Sequence, residues 1–238
     1  MKQIAIGDIV VDIIYKDIKN IHLAVYPPNG RIRIAAPLKV SREAIRLFAI
    51  SKLGWIKRHK RNFENQERVS PRDYKERESH YFQGKRYLLR IKDTNGAGYV
   101  DLKEKTYLDL YVKANSNQEY KKSIINEWYR SELKKELPEI IEHWSKKIGV
   151  EVNFCGIKQM KTKWGSCNIE KKRIWINLEL AKKPIHCLEY ILVHEMVHLK
   201  ERYHNDIFNS LMDFYLPNWK QIKEELNRIP ISHSDWSY

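Results

Sequence analysis

His194 and His198 stand four residues apart, Glu195 follows the first of them directly, and His204 lies six residues beyond the second. On an α-helix, positions i and i+4 share a face, so the two imidazoles can converge on one ion. Glu195 is turned by roughly 100° from His194, which sets its carboxylate beside such an ion. Two neutral nitrogen ligands and a carboxylate able to take a proton from water are the parts of a metal hydrolase. His204 is the natural third ligand. Three histidines favour one zinc ion per chain over magnesium, which takes oxygen ligands. If His204 points away, Glu201 is the substitute, because it shares the helical face of His194 and His198.

The elements that must hold these residues can be read around them. Leu188 to Val193 is an apolar, helix-length run leading into the motif, where unpaired histidines would be costly. Pro184 suits the first turn of that helix. Upstream, Arg173 to Leu178 alternates as a strand, Lys161 to Asn168 reads as a turn region, and Val150 to Phe154 reads as a short strand. Gly165 fits a place where the backbone passes close to something. Downstream, the motif helix must stop near Lys200 to Tyr203 without a glycine, and His204-Asn205-Asp206 reads as the cap of a new helix through Phe208, Leu211, Met212 and Tyr215.

Two regions are expected, residues 1–115 and 116–238. The first opens on β-branched residues 8–17 and on Ile21 to Tyr26, then turns through Pro27-Pro28-Asn29-Gly30 into Arg31 to Ala35, a hairpin with Ile32 and Ile34 inward. One helix follows, capped by Ser41 and running to about Phe63, with Ala44, Leu47, Phe48, Ser51, Trp55 and Ile56 as its buried stripe. Its end carries the most basic cluster of the chain, Lys57 to Arg61. Glu64 to Ser79 reads as a loop. Strands near Tyr81-Phe82, Lys85 to Ile91, Tyr99 to Leu102 and Tyr107 to Val112 suggest an antiparallel meander. From Tyr120 a helical stripe through Trp128 and Trp144 reads as packing, with a kink or restart at Pro138 and an end at Gly149.

Composition narrows the class. The 238 residues are 42% hydrophobic and 31% charged, with no apolar run long enough to span a membrane, so a soluble, cytoplasmic protein is expected. Three cysteines cannot all pair and none stands in a C-x-x-C spacing, which suits reduced thiols. Cys167 beside the site is a possible ligand or nucleophile, but three histidines already supply the chemistry. The net charge of +14 favours acidic partners: an acidic peptide or protein, a nucleotide or nucleic acid.

With these pieces assembled, the chain resembles the YgjP-like metallopeptidase family. The resemblance rests on Trp164-Gly165-Ser166-Cys167, Pro184, Tyr190, His194-Glu195-Met196-Val197-His198-Leu199, His204 with Phe208, and Leu216-Pro217-Asn218-Trp219. Trp55-Ile56 and Gly84-Lys85-Arg86-Tyr87-Leu88 extend it into the amino-terminal part. The family often has an aromatic pair after the third histidine, whereas Asn209 follows Phe208 here. More distantly the chain is similar to SprT-like and other zincin metallopeptidases. The resemblance implies an α+β fold: a zincin-like core of helices on a small mixed sheet, preceded by a mainly antiparallel β region with one helix. It also implies zinc on His194, His198 and His204, Glu195 as the catalytic carboxylate, and a substrate strand pairing with Arg173 to Leu178.

The expected function is a zinc-dependent hydrolase of metallopeptidase type that cleaves a peptide or amide bond, with Glu195 as general base. Two alternatives stand beside it. One is a metal-dependent phosphohydrolase of nucleoside triphosphates, the other a non-catalytic nucleic-acid or protein-binding module with structural zinc.

Overall fold

The computed structural model describes residues 2–26, 30–64, 68–69, 72–160, 163–228 and 231–232. The chain is α+β and divides into two compact units at residues 67/68 rather than at the 115/116 change of sequence character. The first unit holds β1 (Lys2–Ile6), β2 (Ile9–Lys16), β3 (His22–Tyr26), β4 (Arg31–Pro37), α1 (Arg42–Ser51) and α2 (Leu53–Glu64). Its sheet order is β1-β2-β4-β3, with β2 and β4 parallel and the outer pairs antiparallel. The expected alternation holds in β4, where Ile32 and Ile34 are buried. Residues 27–29 of the expected turn lie outside the described residues.

The single expected helix is two. Lys52 leaves helical geometry at φ −106°, its N–H reaches back to the carbonyls of Ala49 and Ile50, and Ser51 Oγ donates to the Phe48 carbonyl at 2.8 Å. A serine hydroxyl that bonds its own preceding turn competes with helix continuation. The buried face is partly rotated from the expected stripe: Ile56 is buried as expected, but Ile45 and Ala49 are buried in place of Leu47 and Trp55, which are exposed.

The second unit begins with β5 (Arg68–Val69), which pairs in parallel with β13 (Ile231–Ser232). The segment expected to be an open loop has structure in its described part, since Tyr74 is buried and the Glu78 carboxylate accepts the amides of Asp73 and Tyr74 at 2.8 Å each. A four-stranded sheet follows, formed by β6 (Ser79–Phe82), β7 (Lys85–Asp93), β8 (Tyr99–Asp101) and β9 (Tyr107–Val112), in the order β6-β7-β9-β8. It is not the expected meander, because β9 inserts beside β7 and runs parallel to it. The physical reason lies in composition. Leu108, Leu110 and Val112 are the most apolar alternating set, and a central strand buries them while pairing both its edges.

α3 (Gln118–Ile148) starts at the Asn117 cap and ends at Gly149, which adopts the left-handed φ of 71°. Of the expected kink or restart at Pro138, the restart does not occur: the helix runs through Pro138 as one element. Both Pro138 and Lys134, whose carbonyl loses its amide partner, are exposed, so water can serve that carbonyl. The buried stripe Leu133, Leu137, Trp144 and Ile148 continues on both sides.

The site rests on a three-stranded sheet of order β10-β12-β11 and the helices that follow it. β10 is Phe154–Lys158, later than the expected Val150 to Phe154, because the Val150 amide is used to close the end of α3 on the Ser145 carbonyl. β11 (Gly165–Asn168) occupies part of the expected turn region and runs antiparallel to β12 (Arg173–Asn177). A 3-10 turn, Leu178–Lys182, carries the chain into α4 (Ile185–Val197), and α5 (Asp206–Tyr215) and α6 (Trp219–Arg228) complete the unit. Nine of the side chains on α4 are buried, which makes it the central helix of this core. No helix among the described residues is long and apolar enough to cross a membrane.

Candidate metal centre

α4 ends at Val197, earlier than the sequence suggests, and the chain then turns without a glycine. The amides of Leu199, Lys200 and Glu201 bond the carbonyls of Met196 and Val197, and the Glu201 carboxylate accepts the Tyr203 amide at 3.0 Å. Glu201 therefore braces the turn and does not join the donor cluster, so its role as a substitute ligand is not needed. Asn205 caps α5 by accepting the Phe208 amide at 3.0 Å, as expected for a new helix beginning there.

This turn brings His204 back over α4. One donor atom each from His194, His198 and His204 lies within 4.8 Å of the others, and Nε2 of His204 meets Nε2 of His194 at 3.0 Å. Two ring nitrogens at that separation can share only one proton. His198 Nδ1 is 3.1 Å from the Glu201 carbonyl, an acceptor, so Nδ1 carries the hydrogen and Nε2 keeps its lone pair. Phe208, fully buried, lies with its ring centroid 4.7–5.0 Å from all three imidazoles and fixes their spacing from below.

Burial holds His194 neutral, with its pKa pushed down to about 3, and it lowers His198 as well. Neutral imidazoles are what a metal ligand requires. The donor set is three nitrogens with one side open to a cleft of about 870 Å³, which matches a catalytic rather than a closed structural zinc site.

Glu195 is buried beside this cluster, and burial raises its carboxyl to about 7 against the opposing pull of Lys163. Its neighbour on the sheet is Gly165, where an added Cβ would lie 2.7 Å from Glu195 Oε1. The close approach expected for this glycine is thus to the carboxylate itself. Cys167 lines the same cleft, but burial and Glu195 raise its thiol to about 11, which keeps it protonated and poorly nucleophilic. All three cysteines are free.

β12 cannot take the substrate-pairing role that the resemblance implied, because β10 and β11 occupy both its edges. β11 is the outer strand, with no partner strand on its other edge among the described residues, and Gly165 to Asn168 border the cleft. Two further residues, to which the sequence assigned no role at the site, contribute to it. Tyr190, one turn before His194 on α4, lies buried in the cleft wall with its ring centroid 6.0 Å from that histidine, and its i−4 spacing was the available signal. Asn177 ties the strand end to the loop before β11, for which no local pattern exists. The Lys57 to Arg61 cluster lies on α2 in the first unit, whereas the described residues lining the cleft belong to the second.

The family model for the YgjP-like metallopeptidase domain matches residues 19–229. The chain belongs to the YgjP-like family. A metal-dependent peptidase class follows from that membership, and the YgjP-like match spans both compact units. Among solved structures, the chain is similar to the metallopeptidase zymogen abylysin of Pyrococcus abyssi, at 22% identity and a TM-score of 0.35 over 37% of this chain and 89% of that one. The zymogen jannalysin of Methanocaldococcus jannaschii gives 22% identity and a TM-score of 0.33 over 37% and 90%. The comparison with curated proteins gives no match.

Proposed function

We propose that this YgjP-like chain is a zinc-dependent peptidase in which His194, His198 and His204 hold the metal and Glu195 is the general base. The observation that carries the reading is the convergence of three imidazoles, His194 and His198 held neutral by burial, with donor atoms within 4.8 Å on an open cleft next to a buried carboxyl. A zinc ion held there supplies Lewis-acid polarisation of a carbonyl and acidifies a water molecule. Glu195 takes the proton of the attacking water and returns it to the leaving amine. The unpaired edge of β11 offers its backbone to an extended peptide, with main-chain hydrogen bonds fixing the scissile bond over the site.

Lys163, Lys200, Arg202 and Lys223 surround the cleft, against Glu170 as the one acidic side chain besides Glu195 among the described residues of its lining. We assign the substrate acidic side chains flanking the cleaved bond, attracted by this rim. The same rim supports a second reading, hydrolysis of a nucleoside triphosphate. Three histidines with no carboxylate ligand make it the weaker of the two, since magnesium–phosphate chemistry uses oxygen donors. Free thiols fit a reducing compartment, and we place the protein in the cytoplasm.

The deciding experiment loads the full chain with zinc and compares it with Glu195→Gln on an acidic peptide mixture and on nucleoside triphosphates. The expected result is peptide cleavage that falls roughly 10²–10⁴-fold in Glu195→Gln while metal content is kept. Phosphate release without peptide cleavage would transfer the assignment to the second reading, and full activity in Glu195→Gln would remove the general-base role.

A further inference from the structure

A second cluster of metal-ligating side chains lies outside the cleft lining. His186 and Cys187, in the first turn of α4, converge with Glu225 of α6 so that one donor atom from each lies within 4.8 Å of the others. His186 Nε2 meets Glu225 Oε2 at 2.7 Å, and their side chains are 42% and 45% exposed. Cys187 is fully buried beneath them. A surface ion pair between histidine and glutamate needs no thiol under it. Cys187 belongs to the buried core of this unit, yet its sulfur comes within 4.8 Å of a donor atom of both members of that pair.

We propose that His186, Cys187 and Glu225 form a second metal site, for zinc, that joins the start of α4 to α6. Tetrahedral zinc holds nitrogen and oxygen at about 2.0–2.1 Å and sulfur at about 2.3 Å, which sets donor atoms roughly 3.3–3.8 Å apart. The present spacing brackets that range, with the histidine–carboxylate pair closed up to 2.7 Å and the whole set inside 4.8 Å. Mixed nitrogen, oxygen and sulfur donors suit zinc rather than calcium or magnesium. Burial raises the Cys187 thiol to about 12, so a bound ion must displace its proton. Thiolate and carboxylate then bring two negative charges to a divalent ion, and the exposed side leaves the fourth position to water.

The position gives the site a task. Lys223 and Leu226, on either side of Glu225 along α6, line the cleft. A metal on Glu225 would fix α6 against α4 and so fix that wall of the cleft. The ion's task is to hold that wall of the cleft, and it stands whether the cleft acts on peptides or on phosphates.

Titrating chelator-treated full-length protein with Co²⁺ tests the site by a property the three-histidine centre lacks, a thiolate-to-cobalt charge-transfer band in the near ultraviolet. The expected result is two cobalt ions per chain with that band present. Glu225→Ala and His186→Ala, both at solvent-facing positions, should bind one ion and lose the band, and Cys187→Ser should do the same. His204→Ala should keep the band, and so should Cys167→Ala, which excludes the cleft thiol as its source. Saturation at one ion with no band overturns the proposal, as does a band that survives Glu225→Ala and His186→Ala or that vanishes in Cys167→Ala. Because Cys187 is fully buried, its replacement is read only beside the two solvent-facing variants.

Discussion

Gly165 lies against Glu195 so closely that an added Cβ would meet Oε1 at 2.7 Å and Cγ at 2.9 Å, with Ile191 Cγ2 also at 2.9 Å. No positive φ is involved, so the demand is for space alone. Gly165→Ala must push the carboxylate aside or shift the edge strand. A misplacement of about 1 Å at a reacting group costs on the order of 10²-fold. We expect Gly165→Ala to keep its zinc and lose about that much turnover, checked by metal analysis beside steady-state kinetics. An unchanged turnover number would show that Glu195 need not sit where Gly165 holds it.

Asn177 holds the approach to the edge strand through a buried side chain. Its Oδ1 accepts the amides of Met160 and Glu179 at 3.3 and 3.2 Å, and its Nδ2 donates to the carbonyls of Met160 and Lys163 at 3.0 and 2.7 Å. Removing the amide leaves these backbone groups unpaired, at about 1–3 kcal/mol for each one that stays buried. Asn177→Ala should lower stability by about 2–4 kcal/mol in urea denaturation and raise KM more than it lowers kcat. Asn177→Asp keeps both accepted bonds and should recover part of the loss; equal damage in the two variants would assign the effect to charge or packing instead.

The centre was legible where chemistry follows local spacing. His194 and His198 fall on one face by helical periodicity, Asn205 and Gly149 are local cap signals, and all behave as their types suggest. What was not legible depends on partners distant in sequence. No residue in β9 announces that it will insert beside β7, because its apolar alternation suits any buried strand and only the competition for the central place decides. The same holds for β12, whose alternation is compatible with an edge or a centre, and it is β10 that closes its second side. Glu201 illustrates the limit at one residue: its spacing fits a ligand, yet the amide of Tyr203 takes its carboxylate.

Phe208 is the shared support of the three imidazoles, and its loss should be felt by all of them. Its ring is 1% exposed and lies within 5.0 Å, centroid to centroid, of His194, His198 and His204. Phe208→Ala should cost about 3–5 kcal/mol through the lost burial and the cavity. It should also weaken zinc binding by on the order of 10-fold or more, as changes to groups that orient ligands do. Phe208→Leu, which keeps most of the volume, should retain the greater part of both. Competition with a chromophoric chelator, run beside thermal denaturation, separates the two effects: stability lost with zinc affinity intact would deny Phe208 any part in holding the ligands.

Glu195 and His194 pull the pH response of the metal-free protein in opposite directions. Burial lifts its carboxyl from 4.5 to about 7, so between those values the folded chain keeps a proton that the unfolded chain has released. The native state then binds more protons, and this contribution to stability falls as pH rises through the window, by at most about 3 kcal/mol at about 1.4 kcal/mol per pH unit. His194 works in the opposite direction. Its pKa drops from 6.5 to about 3, the unfolded chain holds the extra proton, and stability rises with pH across that range. Glu195→Gln removes only the first contribution. In urea denaturation of chelator-treated protein, the variant should therefore gain about 1–3 kcal/mol on the wild type between about pH 5 and about pH 7.5. Parallel pH profiles would mean that the carboxyl titrates near its ordinary value. Zinc should erase the difference, since a divalent charge beside the carboxylate favours its ionised form in the folded state.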